Sequence, residues 1–499
     1  MIYSDVMVDY SMLQTEINSV LTHLGEGRVD GVAYDTAWIA RLARCYPDYG
    51  FEQSIQWLRQ NQYDDGSWGA PLIHYHDRFI STLAAIVALK EVGNEEDTHR
   101  IKRGEAILWK LIGQLGKDNS DTIGFPVLSA SLTEEANGLG LDVPRAPVRF
   151  ASGYKKKVTA LFVQEKRNWR SNSVNFSLEA LRSAVQMDDD VFEDNYAVNM
   201  SPSATAGYLL NYRHEGALSY LGHVLEKVAT GAVPAVDPID IFETTWSLNH
   251  LRLAVAIDPD DRLVRASLEF LWRVWSQEKG VSCSTYFTLP NLDDVASGFA
   301  VLRWGGYDVN PQVFAQYERE DHFYCFPHET DPSLGAHVRL LSALKIANPF
   351  DQREAWIQKI VDVFVRADLN GAFWWDKWHV SPYYLTCSAI IALEGFANKL
   401  ARSRVTWIER TQNADGGWGY LAESTPEETA YCLQALLYWN RVVERVNPAI
   451  LDRAAQYLAS HIEDNSFTPL WIGKSLYSPY YPIKSAILGA MSMYSQLRN

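Results

Sequence analysis

Apolar residues recur every three to four positions along most of this chain, which is the spacing of amphipathic helices. Clusters of Gly, Pro, Asn and Asp interrupt that spacing and mark connections between helices. Strict alternation of apolar and polar residues, the pattern of a half-buried strand, is scarce. The pattern therefore predicts an all-α fold, with helices over the segments 81–92, 104–115, 217–229, 240–256, 262–275, 354–367, 386–400, 427–445 and 449–461.

An internal repeat adds a packing motif to these helices. The two copies are SIQWLRQNQYDDGSWG and RVTWIERTQNADGGWG, which place Gln62 in register with Gln412 and Trp68 in register with Trp418. Each copy is a helix followed by Gln, an Asp-Gly turn and Trp-Gly. Such a turn ends a helix, the indole packs against that helix, and the Gln amide bonds nearby backbone groups. We interpret both copies as clamps between stacked helices and not as catalytic elements.

The positions of the two copies also suggest a division of the chain. They lie near opposite ends of 499 residues, a length sufficient for two or three domains. We predict two α-barrel domains, residues 1–235 and 236–499, joined at the Pro- and Gly-rich stretch 230–238. The first helix is expected to pack with the second domain, and the active site is expected to lie between the two domains.

Charge and cysteine content argue against several classes of function. The formal net charge is −16, and the basic run at 155–157 is short and typical of a solvated face. Nucleic-acid binding is not expected, because it requires a basic surface. The five cysteines lack CxxC spacing, which argues against a zinc site or a disulfide framework and favours a reducing compartment. The N-terminus does not resemble a signal peptide, and no apolar run is long enough to cross a membrane, so a cytoplasmic protein is predicted.

Two adjacent carboxylates open one of the helices, in the stretch LPNLDDVASGFAVLRWGGYDVNP. Asp293 and Asp294 have a purely structural explanation, since acidic residues in the first turn cap a helix and face the positive end of its dipole. The local sequence leaves that explanation and a functional one equally open.

Further segments along the chain change this balance. In chain order they are YDTAW at 34–38, HDRFISTLA at 76–84, SPSATA at 201–206, FETTW at 242–246, WDKWHVSPYY at 375–384, PEETAY at 426–431 and WIGKSLY at 471–477. Together with the acidic stretch they resemble the bacterial class II diterpene cyclases over almost the whole chain. The acid motif of that family is Asp-x-Asp-Asp, and this chain departs from it at Asn291. Within the family, the sequence is most similar to the kolavenyl and the halimadienyl (tuberculosinyl) diphosphate synthases.

The resemblance implies a fold and a reaction. The fold is the two-barrel βγ architecture without the class I α domain. The reaction is an intramolecular, isomerase-type cyclisation of geranylgeranyl diphosphate, helped by Mg²⁺, to a bicyclic diterpene diphosphate. A clerodane-type product, kolavenyl diphosphate, is expected, with halimadienyl and labdane-type (copalyl) diphosphates as alternatives. The product would pass to a separate downstream terpene synthase or phosphatase. The metal ligands are not assigned.

The resemblance makes Asp293 the proton donor, and the residue types around it suit that role. Protonating an unactivated double bond requires a strong acid that still holds its proton at neutral pH. Burial raises the pKa of a carboxyl group, and two adjacent carboxyls titrate as a coupled pair, which gives Asp294 a part in the acid. Asn291 cannot ionise, and we expect its amide to donate a hydrogen bond to Asp293 and so favour release of the proton.

The same resemblance assigns residues to the substrate. Trp378, Tyr383 and Tyr477 are expected to line the pocket, where aromatic faces attract a carbocation without acting as nucleophiles. His379 either orients its neighbours or is a buried histidine without a role in the reaction. Lys377 and Arg78 carry the charge that a diphosphate requires.

Each of these cations also has a structural alternative. Arg78 stands beside Asp77 and Lys377 beside Asp376, so both fit internal ion pairs. The sequence leaves these alternatives open, with Asp376 a candidate carboxylate for Mg²⁺.

Three other interpretations carry less weight. The acidic run at 188–194 superficially resembles a class I metal motif, but it has no distal partner motif and is interpreted as a solvated loop. A carbohydrate enzyme with an α/α toroid would not explain the paired Gln/Trp units together with the acid motif. A prenyl-binding barrel without chemistry would have no reason to keep Asp293, and a prenyltransferase would need a zinc site.

Overall fold

The computed structural model describes residues 10–145, 170, 172–181, 189–326, 329, 332–421 and 423–498. The basic run at 155–157 and Asp188 of the acidic run lie outside these residues. The predicted all-α fold is confirmed. The α-helices are α1 (Tyr10–His23), α2 (Ala33–Ala40), α3 (Glu52–Gln60), α4 (Tyr75–Val92), α5 (Thr98–Leu111), α6 (Phe125–Gly138), α7 (Pro202–Leu209), α8 (Glu215–Val228), α9 (Asp240–Leu253), α10 (Arg262–Val274), α11 (Leu292–Trp304), α12 (Leu334–Ile346), α13 (Arg353–Arg366), α14 (Pro382–Leu393), α15 (Asn398–Arg410), α16 (Pro426–Val442), α17 (Pro448–Ala459) and α18 (Tyr480–Arg498).

Short strands and 3₁₀ helices complete the described structure. Strand β1 (Gly31–Val32) pairs antiparallel with β2 (Val233–Pro234), and β3 (Trp471–Ile472) pairs antiparallel with β4 (Leu476–Tyr477). The 3₁₀ helices are Arg41–Arg44, Pro47–Tyr49, Glu95–Asp97, Leu115–Lys117, Ser173–Ala180, Asp189–Val191 and Pro311–Tyr317.

The helices pack around two hydrophobic cores. In the first, α2, α4, α6, the 3₁₀ helix Ser173–Ala180 and α7 form a closed ring, and α3, α5 and α8 pack outside it. In the second, α9, α11, α12, α14, α16 and α18 form a larger closed ring, and α10, α13, α15 and α17 pack outside it. The buried side chains of α1 belong to the second core. Both rings are α-barrels, because inner and outer helices alternate along the chain.

The clamps predicted from the repeat are confirmed in detail. Gln62 donates from Nε2 to the carbonyl oxygens of Gly66 (2.9 Å) and Arg100 (3.0 Å), and Gln412 makes the equivalent pair of bonds at the other copy. The Trp68 indole donates to the carbonyl ten residues earlier at 2.8 Å, and Trp418 does the same at 2.9 Å. Each clamp therefore ties a helix end to a neighbouring helix.

A third clamp, which lacks the Gln, was not predicted from the sequence. The indole of Trp374 donates to the carbonyl of Phe364, again ten residues earlier, at 3.3 Å. Its backbone N–H donates to Thr386 Oγ1 at 3.0 Å, as Trp68 does to Thr82 and Trp418 does to Thr429. The signal in the sequence was an Asn-Gly turn followed by Trp, without the Gln.

One predicted helix was wrong in its extent. The segment 386–400 is divided between α14, which ends at Leu393, and α15, which begins at Asn398. Gly395 adopts a left-handed φ of 85°, and its N–H donates to Asn398 Oδ1 at 2.7 Å. The apolar spacing continues through this turn, which is why periodicity alone joined the two helices.

The β3–β4 hairpin connects the two cores. Lys474 at its tip is fully buried, and its Nζ donates to Glu179 Oε1 (2.7 Å), Ser201 Oγ (2.6 Å) and Ser203 Oγ (2.7 Å) of the first barrel. The N–H of Leu476 donates to Asp77 Oδ1 at 2.9 Å. The hairpin is thus anchored in the first barrel while its aromatic side chains face the second. No helix among the described residues is long and apolar enough to cross a membrane.

Candidate active site

The acidic stretch forms the N-terminus of α11, on the inner ring of the second barrel. Asn291 is the N-cap, and its Oδ1 accepts the N–H of Asp294 at 3.0 Å. Its Nδ2 donates to Asp294 Oδ2. The expected hydrogen bond from Asn291 to Asp293 is therefore wrong, because an N-cap side chain faces the third residue of the helix. Asn291, which stands where the family has Asp, therefore still caps the helix, and its amide binds the carboxyl of Asp294.

Asp293 lies where several charges meet. Burial of its carboxyl raises the pKa to about 7. The Arg339 guanidinium and the Lys377 ammonium lower that pKa, and the Asp376 carboxylate raises it. Its Oδ1 is buried and has no hydrogen-bond partner in the described part of the chain. Burial thus favours the protonated form of Asp293, and the two cations favour its conjugate base.

Asp294 is more deeply buried and is the weaker acid. Burial raises its pKa to about 8, the hydrogen bond from Asn291 lowers it, and the charge of Asp293 raises it. Its side chain is turned toward Asn291 and its Oδ1 has no partner among the described residues. The charge of Asp293 thus raises the pKa of Asp294, and shared titration of the two carboxyls stays a prediction. We refer to Asp293 and Asp294 as the acid pair.

Arg339 is a site residue that the sequence did not reveal. It lies on α12, donates from Nη2 to the Tyr384 hydroxyl at 3.1 Å, and stands 5.0 Å above the Trp246 ring. No motif surrounds it, and a single Arg in an amphipathic helix is normally interpreted as a surface residue. Its position facing Asp293 depends on the packing of α12 against α11.

Four aromatic side chains of the second barrel form a cluster that includes Tyr384, the partner of Arg339. Tyr384 and Trp471 have ring centroids 5.0 Å apart, Trp471 and Phe242 are 5.3 Å apart, and Phe242 and Trp246 are 4.4 Å apart. We refer to these four residues as the aromatic wall. Their faces supply negative potential that attracts a cation. All four lay in segments that carried the family resemblance, but none had been assigned to the substrate.

The three aromatic residues predicted to line the pocket have different surroundings. Tyr477 is 6.5 Å from the Trp471 ring, and its pKa is raised by burial, with contributions from Tyr384 and Asp294. Trp378 is half-buried beside Phe326, with ring centroids 6.3 Å apart.

The third predicted aromatic is placed differently. Tyr383 stacks on Trp407 of α15 at 4.6 Å, outside the aromatic wall, whereas its neighbour Tyr384 joins that wall. The structure therefore does not bring Tyr383 together with the acid pair.

His379 lies directly behind the aromatic wall. It is fully buried, its ring stacks on Tyr384 at 4.7 Å, and its Nε2 is 3.2 Å from Glu427 Oε1. The same carboxylate oxygen accepts the indole N–H of Trp471 at 2.8 Å. Of the two predicted roles, the contacts favour the one that orients neighbouring groups, since His379 and Glu427 hold two rings of the wall.

Arg78 is not near the acid pair. Its guanidinium donates to the carbonyl oxygens of Ala70 (3.0 Å) and Pro71 (3.2 Å) and to Ser67 Oγ (2.7 Å). Its ion-pair partner is Asp65 at 3.9 Å, not Asp77 as the sequence suggested. With its donors directed at the loop before α4, Arg78 has a structural environment within the first barrel.

A crevice of about 740 Å³ opens between the two barrels. Lys377 and Asp376 line it, and the charges of both act on the carboxyl of Asp293. Lys377 also forms an ion pair with Glu329, and burial lowers its pKa to about 8. Asp121 from the first barrel lines the opposite wall. The crevice combines a cation with carboxylates, as a site for a diphosphate and a divalent metal requires.

Comparison with known sequences places the chain among terpene cyclases. Residues 304–463 match the squalene-hopene cyclase C-terminal domain family. The chain is 32% identical to the type B diterpene cyclase of Mycobacterium tuberculosis over 95% of its own length and 97% of the relative. It is 30% identical to a chloroplastic (−)-kolavenyl diphosphate synthase of Tripterygium wilfordii over 73% of its length. That alignment covers 45% of the plant enzyme, so the chain spans about half the length of this relative.

Solved structures agree on the fold. The ent-copalyl diphosphate synthase of Streptomyces platensis superposes with a TM-score of 0.80 at 25% identity, covering 97% of this chain and 99% of that one. The ent-copalyl diphosphate synthase of Arabidopsis thaliana superposes with a TM-score of 0.70 at 24% identity, covering 97% of this chain and 63% of that one. The two α-barrels described above therefore have the architecture of these proteins.

Proposed function

This chain belongs to the class II diterpene cyclases, an isomerase-type enzyme family, and we propose that it cyclises geranylgeranyl diphosphate to a bicyclic diterpene diphosphate. The observation that carries the proposal is the environment of Asp293: its carboxyl is buried with a pKa raised to about 7, and the charge of Arg339, which stands over Trp246 of the aromatic wall, acts on it. A protonated carboxyl, a stabilised conjugate base and an apolar aromatic surface are the three requirements of alkene protonation.

The proposed reaction starts with the proton of Asp293. The π electrons of the terminal double bond take that proton to form a C–H bond, which leaves a carboxylate on Asp293 and a tertiary carbocation on the substrate. Arg339 stabilises the new carboxylate by charge. Two further double bonds attack in turn and close two rings, while the wall rings face the cation that moves through the chain. Hydride and methyl shifts in the bicyclic cation then give the clerodane skeleton. Loss of a proton from carbon ends the cascade, so substrate and product are isomers.

The diphosphate remains intact and is proposed to lie in the crevice. Lys377 supplies positive charge there, and its neighbour Asp376 has a buried Oδ2 without a hydrogen-bond partner in the described part of the chain. Together with Asp121, this carboxyl provides the oxygen ligands that Mg²⁺ prefers. Mg²⁺ bound there would neutralise charge on the diphosphate. The metal is part of the proposal, with these residues as its ligands.

We propose kolavenyl diphosphate, a clerodane, as the product. The 30% identity to a (−)-kolavenyl diphosphate synthase supports it. The alternatives are the halimadienyl and copalyl skeletons, and likeness to ent-copalyl diphosphate synthases supports the latter. All three retain the diphosphate, so a separate terpene synthase or phosphatase must act next.

A product assay tests the proposed function. Purified protein is incubated with geranylgeranyl diphosphate, with and without Mg²⁺, and the mixture is treated with phosphatase before mass spectrometry and NMR. We expect a bicyclic diterpene alcohol that appears only after phosphatase treatment, with the methyl pattern of a clerodane. Recovery of unchanged geranylgeraniol alone would contradict the proposal that geranylgeranyl diphosphate is the substrate. A bicyclic alcohol formed without phosphatase would contradict retention of the diphosphate.

Replacing Lys377 with methionine tests the site of the diphosphate. We expect KM for geranylgeranyl diphosphate to rise about 10- to 100-fold, because a charge-assisted hydrogen bond contributes roughly 1.5–3 kcal/mol. The change in kcat should be smaller, since Lys377 does not donate the initiating proton. Steady-state kinetics measure both constants. Lys399→Met, an exposed lysine on α15, is the control, and an unchanged KM in Lys377→Met would place the diphosphate elsewhere.

A further inference from the structure

A second cavity lies inside the ring of the second barrel, apart from the crevice. Its volume is about 180 Å³, and it is lined by Arg252 of α9, Ser297 of α11, and Arg339, Ser342 and Lys345 of α12. We call it the inner cavity. On α11 it begins one turn beyond Asp293, and on α12 it follows the stretch from Val338 to Ile346, whereas the crevice touches Leu334. The two cavities therefore share no lining residue.

The lining of the inner cavity is cationic. Three of its side chains are Arg252, Arg339 and Lys345, and no Asp or Glu lines it among the described residues. Lys345 has its own carboxylate, since its Nζ is 3.0 Å from Glu394 Oε2. Neither arginine forms an ion pair with a described carboxylate, so two guanidinium charges line one cavity without a described counter-charge in contact.

The hydrogen bonds of these arginines are also incomplete. Arg252 donates from Nε to Asn249 Oδ1 at 2.8 Å, and Arg339 donates from Nη2 to the Tyr384 hydroxyl at 3.1 Å. In the described part of the chain, Arg339 Nε and Ser297 Oγ are buried without any partner. Burial, with a smaller contribution from the charge of Arg339, lowers the pKa of Arg252 to about 10. A guanidinium has five N–H donors, and most of those on these two residues have no acceptor among the described residues.

These features match the requirements of an anion. Guanidinium groups bind oxyanions through paired N–H donors, and hydroxyl groups add further donors. A cavity of about 180 Å³ exceeds the roughly 30 Å³ occupied by one water molecule, so it has room for a small tetrahedral ion with water around it. We propose that the inner cavity binds a small inorganic oxyanion, such as phosphate, between Arg252 and Arg339, with Ser297 as an additional donor.

Binding there has a consequence for the acid, and this part rests on the proposed function. An anion beside Arg339 offsets its positive charge and weakens its effect on Asp293, so the carboxyl keeps its proton to higher pH. The descending limb of the pH profile of kcat should then move upward when the anion is present. The groups that face Asp293 are Asp294, Cys325, Arg339, Asp376, Lys377 and Tyr384, and of these only Arg339 lines the inner cavity.

Equilibrium dialysis with radiolabelled inorganic phosphate, at constant ionic strength in the absence of substrate, tests the binding directly. We expect one saturable site per wild-type chain, and loss of that site in Arg252→Met. Arg262→Met, which removes an exposed arginine at the start of α10, is the matched control and should bind like wild type. Lys377→Met should also retain the site, which separates the inner cavity from the proposed diphosphate crevice.

Further variants keep the proposal testable. If circular dichroism shows that Arg252→Met does not fold, Arg252→Lys replaces it. Lysine keeps the positive charge but lacks the paired N–H donors of a guanidinium, so its affinity for phosphate should fall at least about tenfold. No saturable binding in wild type, or wild-type affinity in both Arg252 variants, would overturn the proposal. Binding that disappears in Lys377→Met would also overturn it, because the anion would then lie in the crevice. A site that is intact while the product assay fails would refute only the proposed function.

Discussion

Replacing Asp293 with asparagine should lower the rate of bicyclic product formation by at least about 10³-fold while leaving the fold unchanged. General acid catalysis contributes about 10²–10⁴-fold in enzymes, and here the proton starts the whole cascade. The amide is nearly isosteric with the carboxyl and carries no proton that an alkene can accept. Rates of product formation in Asp293→Asn and wild type, with circular dichroism as the check on folding, measure the effect.

Stability provides an independent check on the same variant. A carboxyl whose pKa is higher in the folded protein than in the unfolded chain binds more protons when folded, so its ionisation destabilises the fold as pH rises from about 3.8 through about 7. Asp293→Asn removes that ionisation, and we expect its stability relative to wild type to increase with pH. Turnover by wild type should decline above about pH 7, where Asp293 loses its proton.

Asp189→Asn is the control for charge and for the acidic run. Asp189 lies in the exposed part of that run and accepts a hydrogen bond from the Tyr208 hydroxyl at 2.9 Å. Turnover should be close to that of wild type in this variant. If Asp189→Asn were as inactive as Asp293→Asn, or if Asp293→Asn kept full activity, the assignment of the acid would be wrong.

The second large effect is expected at Lys474. Lys474→Met should lower the free energy of unfolding by about 3–5 kcal/mol, because it leaves Glu179 buried without its cation. Both side chains are shielded from solvent, and the Glu179 oxygen that faces Lys474 also accepts the Tyr34 hydroxyl at 2.9 Å. Urea denaturation monitored by circular dichroism measures the loss. Since the hairpin carries Trp471 and Tyr477, the kinetics and the product ratio should change as well.

A second substitution separates the buried charge from the lost packing. In Lys474→Met combined with Glu179→Gln the unpaired charge is gone, and a large part of the lost stability should return. Arg213→Met breaks an exposed pair with Glu215 and should leave stability unchanged, because solvent screens such pairs. Equal losses in Lys474→Met and in the double variant would show that packing, and not the ion pair, anchors the hairpin.

Much of the fold was predictable because its signals are local. The nine segments with apolar spacing all fall on described helices, although none of them marked α2, α6, α7, α12 or α18. The repeat predicted both clamps, since a Gln, an Asp-Gly turn and a Trp act within one short segment. The third clamp at Trp374 was missed because it lacks the Gln. The helix predicted over 386–400 was too long because apolar spacing passes through the turn at Gly395, which a period of three to four residues does not detect.

The candidate site was predictable only in part. The segments around Asp293, Lys377, Trp378 and Tyr477 lie near the acid pair or the crevice, as the resemblance implied. Arg339 had no motif to mark it. Tyr383 was chosen over Tyr384, although adjacent residues on a helix point about 100° apart and only one of them can face a given surface.

By itself, the sequence determined the elements of this protein: amphipathic helices, clamps at their ends, and an acidic N-terminus on one of them. These follow from periodicity and turn chemistry, which act over a few residues. Only the tertiary structure decided which charges meet. The effect of Arg339 on Asp293, the enclosure of Arg78 within the first barrel and the burial of Lys474 against Glu179 all join groups through packing. Electrostatic effects depend on distance and burial, and neither is encoded in the order of residues along the chain.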